Sequence, residues 1–117
     1  MKTNQKNIWR LPTKEEFENV LYPNQDKIPN LDDTAYYWSS SEYDSNYAWT
    51  FYFNYGLANN LSNKYSTKQV RAVRNVSNYS TNSSNSTIVG NLEIYNADLG
   101  SMTYREAKSE INKLNKN

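Results

Sequence analysis

Asp32, Asp33, Glu42 and Asp44 are the densest group of oxygen donors in this sequence. Carboxylates so placed have two chemical uses, ligation of a hard cation such as Ca²⁺ and acid/base hydrolysis by a carboxyl pair. Neither pattern is complete: Leu31-Asp32-Asp33-Thr34 lacks the alternating ligands of an EF-hand loop, and no spacing fixes two acids at a hydrolytic separation. The expectation is a protein that is not an enzyme and has no obligatory cofactor. Calcium is the one ion these loops could hold.

A second set is suited to recognition. Tyr43 and Tyr47, then Asn54, Tyr55, Asn59, Asn60, Asn63, Lys64 and Tyr65, fall in two polar stretches. Tyr gives rigid amphipathic contact and Asn gives adaptable hydrogen bonds, so these are the candidate ligand-binding residues, for a glycan or a protein surface. Trp9, Trp38 and Trp49 could stack on sugar rings, but burial is their expected use. Arg10, Arg71 and Arg74 could hold a sulfate or carboxylate. Forked pairs with Glu16, Glu42 or backbone carbonyls are the expected use instead.

Composition removes other chemistry. The 117 residues include no Cys and no His, which excludes disulfides, thiolate nucleophiles, imidazole bases and the common zinc shells. Leu, Ile, Val and Phe make only 21 residues, so eleven tyrosines and three tryptophans must supply much of the core. Lys and Arg are scattered at a net charge of +1, without the footprint of a nucleic-acid binder. No stretch reaches the roughly 20 apolar residues of a membrane span, and Met1 to Arg10 is too polar for a signal-peptide core.

The elements that must position these residues read as α+β. Thr13-Lys14-Glu15-Glu16 is a capping box opening a short helix with Phe17, Val20 and Leu21 on one face, stopped by Pro23. Thr103-Tyr104-Arg105-Glu106 repeats the device, with Met102 placed to staple against Ala107 and with Tyr104, Ala107, Ile111 and Leu114 on one face. Ala35 to Ser39 and the period-two run Tyr47 to Asn54 predict strands. Gly56 to Lys68 predicts a turn and long loop, Val70 to Arg74 a strand, and residues 87–94 one or two strands around Gly90-Asn91. Two helices and four to six strands result. Residues 75–87, NVSNYSTNSSNST, are a linker by composition.

Four ordered blocks carry a resemblance: Trp9-Arg10-Leu11-Pro12-Thr13 with Glu16, Tyr37-Trp38-Ser39-Ser40-Ser41-Glu42, Ala48-Trp49, and Val70-Arg71-Ala72-Val73-Arg74. Together, over residues 8–74, they resemble the Lcl C-terminal domain (domain of unknown function 1566) and the related Fibrobacter succinogenes major paralogous domain. The resemblance implies a C-type-lectin-like fold in bacterial surface, secreted or phage-borne proteins, with no known catalytic residues and with these blocks as structural motif. No Glu-Pro-Asn or Trp-Asn-Asp calcium-and-sugar motif is present. The Tyr- and Asn-rich loops are similar to those of lectin-like scaffolds diversified by retroelements, but nineteen asparagines over the whole chain point to a coding bias.

Residues 88–117 resemble the strand and first helix that precede WRLPT in that family. The chain is therefore expected to be one circularly permuted domain over 1–117, its linker joining adjacent strands about 5 Å apart. Closure within one chain predicts a monomer; exchange of that segment predicts a swapped homo-oligomer.

Overall fold

The computed structural model describes residues 8–116. Helix α1 (Lys14–Glu16) runs on as a wider π-helical turn over Phe17–Leu21. Strands β1 (Tyr36–Glu42), β2 (Tyr47–Tyr52), β3 (Leu57–Asn63), β4 (Lys68–Gln69), β5 (Val73–Asn75), β6 (Ser86–Val89), β7 (Leu92–Tyr95) and β8 (Ser101–Met102) follow, then helix α2 (Tyr104–Leu114). The fold is α+β. A five-stranded sheet has the order β3-β2-β1-β4-β8, antiparallel except for the parallel β1/β4 pair, and a three-stranded antiparallel sheet has the order β5-β7-β6.

Both helices start where their capping boxes place them. The Thr13 and Thr103 hydroxyls accept from the Glu16 and Glu106 amides, and each glutamate reaches back to its cap. The Tyr22 amide bonds the Phe17 carbonyl, the five-residue spacing of a π turn. That widening lets α1 bury Phe17 and Leu21 before Pro23 ends it.

Neighbouring strand residues face opposite ways, and this divides the core in two. Tyr37, Phe51 and Phe53 join Phe17, Leu21, Leu92 and Ile94 between α1 and the smaller sheet. Trp38 and Ala48, on the other face, join Trp9, Leu11, Val70, Tyr104, Ala107 and Ile111 under α2. Met102 packs in the second cluster beside Ala107, as a hydrophobic staple would. The rings meet mostly edge-on or tilted: Trp38 and Tyr104 lie 5.0 Å apart at 69°.

The sequence blocks interlock through main-chain bonds. Arg10 and Val73 exchange amide and carbonyl at 2.8 and 2.9 Å, which ties WRLPT to VRAVR. β1 carries a bulge between Trp38 and Glu42, and the Ser40 amide reaches the Pro12 carbonyl at 2.7 Å. The Ser41 hydroxyl accepts from the Lys14 amide at 3.0 Å. The serines of YWSSSE are therefore the seat of the helix entry.

Four expectations need correction. Residues 57–63 form β3 and not a loop, because a polar segment can pair along β2 as an edge strand with only Ser62 buried. Of the strand expected over Val70 to Arg74 only Val73 and Arg74 are extended, in β5; Val70 to Ala72 are the crossing from β4 of one sheet to β5 of the other, with the Arg71 side chain turned inward. Eight strands form among the described residues, more than the four to six expected. Finally, β5 and β6 are not adjacent: β7 lies between them, so the connection crosses two strand spacings, roughly 10 Å. The β5/β7 pairing, Val73 opposite Ile94 and Asn75 opposite Leu92, is made within the one chain. Gly90-Asn91 is a two-residue hairpin turn between β6 and β7, with Gly90 at a φ of 59°.

Candidate functional site

The nine recognition residues named from sequence do not form one surface. Antiparallel β2 and β3 carry them to opposite ends, with Tyr43, Tyr47, Asn63, Lys64 and Tyr65 near one and Asn54, Tyr55, Asn59 and Asn60 near the other.

At the first end the Lys64 ammonium binds the Glu42 carboxylate and donates to the Asp44 and Ser45 carbonyls at 2.9 and 3.2 Å. It clamps the β1–β2 turn. Glu42 is held below the usual carboxylate range by the Lys64 hydrogen bond, aided by Lys108. Tyr43 lies edge-on to Trp49, and the Lys14 amine sits 4.9 Å from the Trp49 ring. Trp49 is thus a half-buried surface ring, a correction to its expected place in the core beside Trp9 and Trp38. An open groove of about 350 Å³ lies between Glu42, Lys64, Tyr65, Tyr104, Arg105 and Lys108. The Tyr104 hydroxyl is buried with no hydrogen-bond partner among the described residues, and burial, followed by the charge of Glu42, pushes it up to about 12.

At the second end the register creates a row. Tyr36 of β1 pairs with Tyr52 of β2, which pairs with Leu57 of β3. All three lie on the sheet face that α2 covers, but two residues past Trp38 and Thr50, outside the cluster under the helix. Tyr36 and Tyr52 stack at 4.5 Å and 5°, and Tyr55 stands across Tyr52 at 5.1 Å and 87°. Tyr55 is 69% exposed and Leu57 62%. The Lys68 amine caps the row, 5.1 Å from the Tyr36 ring. Asn59 turns its carbonyl oxygen to the Leu61 amide, and the Asn60 side chain makes no hydrogen bond among the described residues. Tyr36, Tyr52, Tyr55, Leu57, Asn59 and Asn60, but not Lys68, line an open pocket of about 260 Å³.

Arg10, Arg71 and Arg74 are each engaged in bonds within the chain. Arg10 forks onto Glu16 at 2.7 and 2.8 Å and reaches Asn75. Arg71, 1% exposed, bonds Asp98 and the carbonyls of Pro29, Asn30 and Tyr95. Asp98 also accepts from the Tyr37 hydroxyl, which burial raises above its ordinary range. Arg74 forks onto Glu93 and lies 4.2 Å from the Trp9 ring. Burial alone would raise the Glu93 carboxyl, but bonds from Arg74 and Ser86 hold it below the usual range.

The calcium candidates do not converge. Asp32 accepts from the Thr34 amide and hydroxyl, Asp44 accepts from the Asn46 and Tyr47 amides, Glu42 is paired with Lys64, and Asp33 is exposed. One oxygen each of Asp32 and Asp44 is taken up by its own turn. Among the described residues no group of three or more acidic side chains is placed to hold a metal ion. None of their helices is long and apolar enough to cross a membrane.

Sequence reasoning missed Tyr36, Tyr52 and Leu57. Period two does set Tyr52 on the face opposite Phe51 and Phe53, but only the cross-strand register brings the three side chains together.

No curated protein and no solved structure matches the chain. The profile of the Lcl C-terminal domain matches residues 1–74, a span that holds α1, β1 to β4, the first two residues of β5 and the row of Tyr36, Tyr52 and Leu57. The chain therefore belongs to the Lcl C-terminal domain family.

Proposed function

We propose that this protein is a non-catalytic binding module, C-type-lectin-like in fold, that presents its tyrosine row to a glycan or protein at a bacterial surface or phage particle. The observation that carries the reading is the row itself: half-buried, stacked Tyr36 and Tyr52, with exposed Tyr55 and Leu57 beside them, outside the cluster that Trp38 and Ala48 form with α2. Contiguous exposed side chains with large apolar bodies and polar tips are a common signature of an interaction surface. The absence of Cys and His, and the use of Glu16, Glu93 and Asp98 in ion pairs, favour binding over catalysis.

The permuted order is part of the same reading. Asn115, just past α2, accepts from the Trp9 amide at 2.8 Å and donates to the Trp9 carbonyl at 2.9 Å. That is where the family order would pass from the helix straight into Trp9.

Glycan-array and pull-down measurements with Tyr55→Ala and Tyr65→Ala test the assignment. The two rings lie at opposite ends of the β2–β3 hairpin, so loss in Tyr55→Ala alone supports the row. No binding by the parent chain, or unchanged binding by Tyr55→Ala, counts against it.

A second reading, self-assembly by exchange of residues 86–116, is favoured by the long connection between β5 and β6. Mass measurement across a dilution series separates the two: a concentration-independent monomer supports closure within one chain.

A further inference from the structure

We infer that the pocket between Tyr52, Tyr55, Leu57, Asn59 and Asn60 is a subsite for one neutral pyranose unit of an uncharged glycan, bound without calcium; this rests on the tyrosine row being the binding surface.

Three features select the ligand class. The first is charge. No residue lining the pocket is ionised, and the Lys68 amine beyond it stands 5.1 Å from the Tyr36 ring. An acidic sugar would find no cation in the lining, and a basic ligand no carboxylate. A desolvated charge without a partner is strongly disfavoured. The second is chemistry. A pyranose has C–H faces that pack on rings and aliphatic side chains, and hydroxyls that both donate and accept. Tyr55 and Leu57 supply the apolar walls, 69% and 62% exposed. The Asn60 amide is unengaged among the described residues, and Asn59 keeps its NH₂ group while its oxygen holds the Leu61 amide. The third is size. At about 260 Å³ the pocket falls just below the roughly 300–1,000 Å³ of sites for drug-sized ligands, which suits one sugar ring with its neighbours running outward along the row.

Calcium-bridged binding of a sugar diol needs converging carboxylates. The lining contains none, and Asp32 and Asp44 are each tied into their own turns. The pocket's hydrogen bonds must therefore come from amides and phenols.

The test is a titration of the isotope-labelled chain with lactose, cellobiose, maltose and diacetylchitobiose, followed by backbone and side-chain amide shifts. It is run in EDTA and at 0.05 and 0.5 M sodium chloride, with polygalacturonate as the acidic comparator. The expected result is saturable movement of the Asn59 and Asn60 signals by at least one neutral disaccharide, with a Kd of about 1 mM or tighter. EDTA and salt should leave it within about twofold, since no ion pair is involved. Tyr55→Ala, at an exposed site that does not threaten folding, and Asn60→Leu should each weaken it about tenfold or more. Binding only to polygalacturonate, loss of binding in EDTA, or full affinity in Tyr55→Ala would overturn the proposal. If no neutral sugar binds but Tyr55→Ala still loses attachment to a captured protein or cell surface, the subsite falls and the binding-module reading stands. If Tyr55→Ala keeps that attachment, both fall.

Discussion

Arg71 has four carbonyl or carboxylate partners, from two loops and the end of β7, and is 1% exposed. Such a cation is worth more as a specifier of geometry than as a source of net stability, because its desolvation offsets most of its attraction. Removing it leaves Asp98 without its ion pair, so Arg71→Met is expected to destabilise by about 3–5 kcal/mol, measured by urea unfolding. Glu16 and Glu93 act differently, through pH. Both carboxyls are lowered in the folded state, so their contribution is fully present above the ordinary value of 4.5 and disappears as the pH falls through the folded values. Melting temperature should therefore drop as the pH falls below 4.5, and Glu93→Gln should flatten part of that limb. Tyr104 has the opposite sign. Its hydroxyl is raised from 10 to about 12, so the contribution is intact below pH 10 and lost as the pH climbs through 12. Tyr104→Phe should remove that alkaline loss with little change at pH 7, since the hydroxyl has no partner to forfeit.

At the scale of elements, the β2–β3 hairpin depends on one small residue. Gly56 has a φ of 66°, and a Cβ there would lie 2.4 Å from the Tyr22 ring. Gly56→Ala must pay for the left-handed backbone and push Tyr22 away from Phe51, a loss of about 2–4 kcal/mol in chemical denaturation. Thr103→Ala, which removes one half of a capping box, should cost about 1 kcal/mol. The helix starts were legible from sequence because a cap is a four-residue device with its own signature. β1 was legible in part as the aromatic run Ala35 to Ser39, and β2 from period two. β3 was not: Leu57-Ala58-Asn59-Asn60-Leu61-Ser62-Asn63 has the composition of a loop, and its conformation comes from pairing along β2. Trp49 escaped for a related reason. It is interrupted in register by the bulge between Ala48 and Thr50 and faces Lys14 and Tyr43 rather than either core cluster.

For the whole molecule, local patterns carried the inventory but not the arrangement. The four sequence blocks indicated a family, and the segment after the linker was expected beside Val70 to Arg74; it is β7 of that segment, not β6, that takes the place next to β5. The order of β5, β7 and β6 lay beyond the sequence, because a connection of that length reaches either neighbour at similar entropic cost. The recognition residues were divided for the same reason: sequence proximity placed Tyr55 and Tyr65 together, and an antiparallel strand carried them apart. The proposed permutation makes a constructive prediction. A chain rewritten to run from Ser86 through Asn115 and a short glycine joint into Trp9 and on to Asn75, with residues 76–85 omitted, should fold with the parent's circular dichroism and melt within a few degrees. A rewritten chain that remains unfolded would sink the assignment.

The Asn115 side chain reads both main-chain groups of Trp9, so the outer end of α2 and the start of WRLPT leave the molecule side by side. A load drawn between those two points does not shear the sheets along their strands. It opens the amide latch first and then peels α2 from Trp38 and Ala48 one contact at a time, as a zip opens. The strand that would be last to feel the tension is β3, the outermost of the five, beside the tyrosine row. A tether attached at that corner would thus yield mechanically at the helix while its gripping surface kept its shape.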